Sequence, residues 1–292
     1  MGLGGLRSIE VDKDVEHSHI VLIPRALFDD KDQDAVSDID LFQDERVTVV
    51  KMDRHFAFHY ANAFEDTKGN VMFDTVQMDG MELGANFAEP FWQLENPFRD
   101  ISPTRLIRYT VDIQNKKLVT GNEVPSDRER KGERKVEGKV LTTRLPEFPS
   151  IPRDLSTRRH RYIYPVVARK KVNVDHKISG LGGPVAAIAK IDSEDTANNQ
   201  YFSFEPHEFP GEAILVPKAG KNVALAAEED ACYMLLQVTN GKDLKTDVAI
   251  FDVEGEQAFQ KGPILRFPLP VFTPHLLHGS FAEGVTFPFE ES

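Results

Sequence analysis

The chain has 292 residues, of which 40% are apolar and 28% charged, and its formal net charge is −12. This is the composition of a folded protein with a substantial core. The acidic surplus excludes nucleic acid or an anionic membrane surface as a general partner, and a single cysteine, Cys232, excludes an internal disulfide framework and predicts a reducing compartment.

The first 14 residues, MGLGGLRSIEVDKD, stay unassigned. They lack the apolar core of a signal peptide, and Leu6 stands where a myristoylation motif needs Ser or Thr. The expectation is an intracellular protein, soluble or in peripheral contact with a membrane; a plastid is the expected compartment if the source is photosynthetic. No run approaches the roughly 18 apolar residues of a membrane-spanning helix.

Residues 15–292 read as one β-rich domain. Short runs rich in Val, Ile, Tyr and Phe predict strands at His19–Ile23, Val47–Met52, Leu106–Val111, Val136–Leu141, Tyr162–Val167, Ala186–Ile191, Ala213–Val216, Tyr233–Val238, Val248–Phe251 and Ile264–Leu269. Polar stretches at 28–45 and 120–135 read as loops. The second contains the basic run Arg128–Lys135, which alternates with Glu and Gly, holds no aromatic residue, and reads as solvated. Residues 82–95 hold at most a helical turn or two, interrupted by Pro90. Many short strands at modest spacing indicate a sandwich, a barrel or a propeller. Cys232 lies in a strand-like run and reads as a buried structural thiol.

Three groups of histidines are candidates for chemistry. In Arg54-His-Phe-Ala-Phe-His-Tyr-Ala-Asn-Ala-Phe-Glu-Asp66, strand alternation puts His55, Ala57 and His59 on one face and Phe56, Phe58 and Tyr60 on the other. An aromatic face in a core would turn the histidines toward a cavity; a strand with two exposed histidines fits the same pattern. His275 and His278 are three apart, so both would meet one metal only in a turn. His17 and His19 share a strand face at weak metal-site spacing. Glu147, in Leu-Pro-Glu-Phe-Pro, and Glu212, in Phe-Pro-Gly-Glu-Ala-Ile-Leu-Val-Pro, are acids among apolar residues. Each reads equally as an exposed strand-end acid or as the partner of a metal-bound histidine. Ser179-Gly-Leu-Gly-Gly-Pro184 is not a dinucleotide fingerprint, and there is no nucleophile elbow, phosphate loop or Cys-x-x-Cys.

Taken in order, these segments resemble the carotenoid cleavage oxygenase family. Phe58-His-Tyr-Ala-Asn-Ala-Phe-Glu65 is similar to the family's Phe-His-x-x-Asn-Ala-Tyr-Glu, which implies His59 as an iron ligand. Leu145-Pro-Glu-Phe-Pro is similar to its Glu-Phe-Pro segment, and Arg161-Tyr-Ile-Tyr to its Arg-Tyr-x-Tyr. Phe209-Pro-Gly-Glu-Ala-Ile-Leu-Val-Pro and Ala227-Glu-Glu-Asp-Ala resemble two further motifs. Gly262-Pro-Ile-Leu-Arg-Phe-Pro-Leu-Pro with Leu277-His-Gly-Ser-Phe resembles the family's last strand, which implies His278 as a ligand. The resemblance covers the chain from about residue 15 onward and is to the C-terminal half of the family.

It implies part of a seven-bladed β-propeller, with N-terminal blades missing, and Fe(2+) held by histidines whose rings are oriented by glutamates, here Glu147 and Glu212. No catalytic residue beyond the metal ligands is implied. The implied reaction is oxidative cleavage by O2 of a C=C bond in a carotenoid or apocarotenoid, giving carbonyl products. The family's first two ligating histidines, in Ala-His-Pro and His-Asp-Phe segments, do not appear. Register through Ile20–Pro24 sets Val11 where the second would stand, so His17 and His19 do not inherit the role. Ala231 replaces an Asp of the Glu-Glu-Asp-Asp loop. The alternative readings are an inactive relative that binds apocarotenoid or lipid, and a propeller that serves as an interaction module.

Overall fold

The computed structural model describes residues 15–25, 43–78, 103–119, 138–169, 185–255, 257, 259–275 and 277–284. The unassigned N-terminus, the 82–95 segment, the 120–135 loop and most of 28–45 lie outside these. Among the described residues helix is confined to single 3₁₀ turns at Arg153–Leu155, Thr196–Asn198 and Phe259–Lys261, and everything regular is antiparallel strand. No helix among them is long and apolar enough to cross a membrane. The chain divides into two compact units. One is Met1–Glu147 with Ser156–Arg159 and Lys170–Pro184; the other is Phe148–Leu155 with His160–Arg169 and Val185–Ser292.

In the first unit, β1 (His17–Leu22) pairs β2 (Thr48–Asp53) in the register His17↔Asp53 to Leu22↔Thr48. β3 (Phe56–Glu65), β4 (Val71–Met78), β5 (Arg105–Asp112) and β6 (Lys117–Leu118) follow one another across a second sheet, and β7 (Lys139–Val140) also pairs β5. The β3–β4 turn is written in its residues. The Asp66 carboxylate accepts the backbone N–H groups of Lys68 and Asn70 at 2.8 and 2.9 Å, and Gly69 takes the left-handed φ of 79°. Val50, Met52, Phe73, Ile107, Tyr109 and Val111 form the core, with Phe73 stacked on Tyr109 at 5.1 Å. Within it Asp74 and Arg108, both buried, make a bidentate ion pair at 2.7 and 2.8 Å across β4 and β5.

In the second unit, β8 (Pro146–Ser150), at whose Glu147–Phe148 bond the two units divide, is followed by β9 (Tyr162–Val167), β10 (Ala187–Asp192) and β11 (Gln200–Ser203). These lie side by side in the order β11-β10-β9-β8. The second sheet runs from β12 (Glu208–Pro210) and β13 (Ile214–Pro217), both paired to β14 (Cys232–Asn240), through β15 (Lys245–Asp252) to β16 (Leu265–Pro268). Its core is aromatic at the centre: Phe251, fully buried, meets Phe202, Phe204 and Phe259 with ring centroids 5.2 to 6.1 Å apart. Every predicted strand that falls on described residues is present, Tyr162–Val167 with the predicted bounds and the others shifted by one to three residues at their ends. β4, β6, β8, β11 and β12 are not among the predicted strands. β4 is buried along most of its length and carries Asp74, Thr75 and Gln77, so its run lacks the apolar continuity on which strand prediction rests.

Candidate functional site

β3 carries the first candidate and departs from simple alternation. Its register on β4 shifts between Ala57 and His59 and again between Tyr60 and Asn62, leaving Phe58 and Ala61 as extra residues. These bulges re-phase the side chains. The predicted aromatic core face is therefore not formed: Phe58 and Tyr60 are 46% and 59% exposed, while His59 is largely covered. Among the described residues β3 is also an edge strand, paired to β4 alone, so no described strand of the sheet covers those rings. The His59 Nδ1 lies 2.7 Å from the Glu147 carboxylate. A carboxylate only accepts, so the ring nitrogen donates there, and Nε2 is the nitrogen left to bind a metal. On the other side of the strand the Thr75 hydroxyl, buried, reaches the His59 carbonyl at 3.5 Å.

The second candidate is in the other unit. Glu212 stands in the break between β12 and β13, where Gly211 donates its N–H to the Gln237 carbonyl at 2.8 Å. Its carboxylate accepts the Gly279 N–H at 3.1 Å and faces the His278 Nδ1 at 3.4 Å, a longer contact than the His59 pair makes. The Phe148 ring stands edge-on to the His278 ring at 5.6 Å. Phe148 itself has φ 48°, a left-handed conformation that costs a non-glycine residue about 1–3 kcal/mol and collects at functional positions. The structure brings His59 to Glu147 and His278 to Glu212, across 88 and 66 residues of sequence.

The remaining histidines do other things. His55 Nδ1 lies 3.0 Å from the Asp53 carbonyl, and its backbone N–H and carbonyl exchange hydrogen bonds with the Ser18 hydroxyl. His17 and His19 stand opposite Asp53 and Lys51 in the β1–β2 ladder, and His275 is exposed. Among the described residues no three His, Cys, Asp or Glu side chains gather closely enough to enclose a metal ion together. Cys232 is fully buried, and burial pushes its thiol up to about 12, so it is an inert core residue.

Two motifs resolve into one network that supports β9. The Glu229 carboxylate accepts the backbone N–H groups of Arg161 and Tyr162 at 2.5 and 2.8 Å. Arg161 grips Asp192 with two hydrogen bonds, at 3.0 and 2.6 Å. Lys190, buried, lies over the Tyr162 ring at 4.4 Å and donates to Asp230 and to the Val253 carbonyl at 2.6 and 2.7 Å. Asn62 escaped sequence reasoning although it lies inside the His59 motif. Its Oδ1 accepts the Thr157 N–H, and its Nδ2 donates to the Arg158 carbonyl, both at 2.9 Å.

The chain matches the family described as retinal pigment epithelial membrane protein over residues 1–283. It is 26% identical over 231 residues to the apocarotenoid-15,15'-oxygenase of Synechocystis sp., and 25% identical over 234 residues to carotenoid cleavage oxygenase 1 of Neurospora crassa. Each match covers 78% of this chain and 39% of the relative. Solved structures of the Synechocystis apocarotenoid oxygenase, among them a variant and a cobalt-substituted form, superpose with a TM-score of 0.66 at 23% identity, over 91% of this chain and 44% of theirs. The chain therefore spans well under half the length of these relatives. The likeness in fold makes its antiparallel sheets part of a β-propeller. With ordered motifs along the chain and a family match over nearly all of it, the chain belongs to the carotenoid cleavage oxygenase family, described as retinal pigment epithelial membrane protein.

Proposed function

We propose that this chain supplies part of the metal centre of a non-haem Fe(II)-dependent dioxygenase that cleaves a C=C bond of a carotenoid or apocarotenoid into carbonyl products. The observation that carries the reading is the pairing of His59 with Glu147 at 2.7 Å, repeated in looser form by His278 and Glu212. The donor set fits the group. A carboxylate on Nδ1 takes up the ring N–H there and leaves Nε2 as the nitrogen that faces a metal, and imidazole ligands suit Fe(II) that must keep positions open. His59 and His278 would hold the iron, which when bound supplies the activation of O2. The protein's own part is to hold the Nδ1 protons of the two rings on Glu147 and Glu212 and to keep the rings from turning. The family's names for its members, apocarotenoid oxygenase and carotenoid cleavage oxygenase, support a polyene substrate.

The test is the iron content of the purified chain after anaerobic loading with Fe(II), followed by product analysis with a carotenoid under O2. The expected result is bound iron that is lost in His59→Ala and His278→Ala, with carbonyl products only from the loaded protein. Iron binding that neither substitution changes would overturn the assignment of ligands. A second reading is a relative that binds apocarotenoid without cleaving it. That reading gains if the iron-free chain binds the polyene and the loaded chain releases no product.

A further inference from the structure

Asn62 stands where the open edge of β3 meets the turn 156–159. Among the described residues β3 has a strand neighbour on one side only, and within six residues its ladder to β4 slips twice: Ala57↔Gln77 is followed by His59↔Val76, and Tyr60↔Thr75 by Asn62↔Asp74. The face that His59 presents is set by where those two bulges sit, because, counted from the β3–β4 turn where the ladder begins at Glu65↔Val71, displacing one by a single residue turns the side chains beyond it to the opposite face. The flanking residues, Phe-Ala-Phe before and Ala-Asn-Ala after, would accept a bulge at neighbouring positions. Something outside the β4 ladder has to choose.

The Asn62 amide is placed to make that choice. It meets two successive residues of the turn with one acceptor and one donor, Oδ1 to the Thr157 N–H and Nδ2 to the Arg158 carbonyl, both at 2.9 Å. Thr157 holds φ 65°, a left-handed conformation that a β-branched residue takes only when its surroundings impose it. The strained turn and the amide are thus matched, and the match exists only with Asn62 in its present register, immediately after the second bulge.

We propose that Asn62 is a positioning residue for His59: by clasping the 156–159 turn it fixes the second β3 bulge and with it the orientation that delivers the His59 ring to Glu147. The clasp replaces, at the open edge, the ladder that a neighbouring strand would have supplied. The functional weight of this rests on the reading of His59 as a metal ligand; the geometric claim does not.

The experiment compares wild type with Asn62→Ala, which removes both hydrogen bonds, and Asn62→Asp, which keeps the acceptor for the Thr157 N–H. Val111→Ala, in the core of the same unit, controls for general loss of stability. The readout is the His59 imidazole in ¹H–¹⁵N NMR, where a ring fixed on a carboxylate shows one tautomer and a protected Nδ1–H. A second readout is titration with Co(II) alone. Asn62→Ala is expected to lose the protected signal and to bind Co(II) about 10–100-fold more weakly, with Asn62→Asp between it and wild type and Val111→Ala unchanged in both. The proposal is overturned if Asn62→Ala keeps the wild-type ring signal while its Tm falls, since Asn62 then only fastens a surface turn. It is also overturned if Val111→Ala loses the signal equally. Failure of the wild type to take up Co(II) would sink the metal reading and leave the ring signal to decide the role of Asn62.

Discussion

A carboxylate on the far nitrogen of an imidazole fixes both its tautomer and its direction, and that separates His59 and His278 from the other histidines. His55 spends the same nitrogen on a backbone carbonyl. Carboxylates elsewhere in the second unit show how strongly surroundings set a charge. Burial pushes Asp192 up, but the Arg161 guanidinium and the backbone N–H groups of Asp195 and Glu194 outweigh it and hold the carboxyl below its ordinary value. Its contribution to stability is therefore present above the ordinary carboxylate range and is lost as pH falls through the depressed value. Glu229 behaves oppositely. Burial raises it, against the opposing N–H groups of Tyr162 and Arg161. Between its ordinary and raised values the folded state binds more protons than the unfolded one, so this group makes stability decline as pH climbs through that window. Melting temperatures measured from about pH 3 to 7 should show Asp192→Asn removing part of the acid loss. Glu229→Gln, which keeps the acceptor without the charge, should flatten the decline on the other side.

Among the elements, β4 and β5 are held by more than apolar burial. Asp74 is fully buried and Arg108 nearly so, and their bidentate pair faces both strands inward, with the Arg108 guanidinium also over the Phe64 ring at 5.5 Å. Forming such a pair gains little over an apolar contact, but breaking it strands a charge. Asp74→Ala should lower unfolding stability by about 3–5 kcal/mol in urea, more than typical removal of a surface partner. Because Asn62 pairs opposite Asp74 across the β3–β4 ladder, that substitution also removes the support behind the second bulge. The motif around His59 thus reads as two layers, a ring-bearing edge strand and the buried ion pair one strand behind it.

For the whole chain, charge and exposed edges act together. A net charge of −12 keeps copies apart at neutral pH, yet β16 is exposed along its length, with Leu265 and Phe267 at 53% and 40%, and among the described residues it is paired only to β15. An open apolar edge is a template for another strand once repulsion is gone. Self-association followed by light scattering should therefore rise as pH approaches the isoelectric point near 5.3, and Leu265→Lys with Phe267→Lys should suppress it. An unchanged profile in that double variant would place the sticky surface elsewhere.

Local pattern and ordered motifs were sufficient for the all-β class and for most strands, and they singled out His59, His278, Glu147 and Glu212 as candidates among nine histidines and many acids. A strand's period and a turn's residues are properties of neighbours in sequence, and short motifs keep their order however the chain folds. Alternation could not decide the faces of β3 because a bulge costs one residue of register without leaving a mark in composition, and Phe58 and Tyr60 emerge exposed where one of the two readings put a buried face. The partnerships were also beyond it. Glu147 reaches His59 across 88 residues, Asn62 reaches Thr157 across 95 and Glu229 reaches Arg161 across 68. Hydrogen bonds of that span have no local signature, because they are set by how strands stack and where edges lie open, which only the tertiary structure decides.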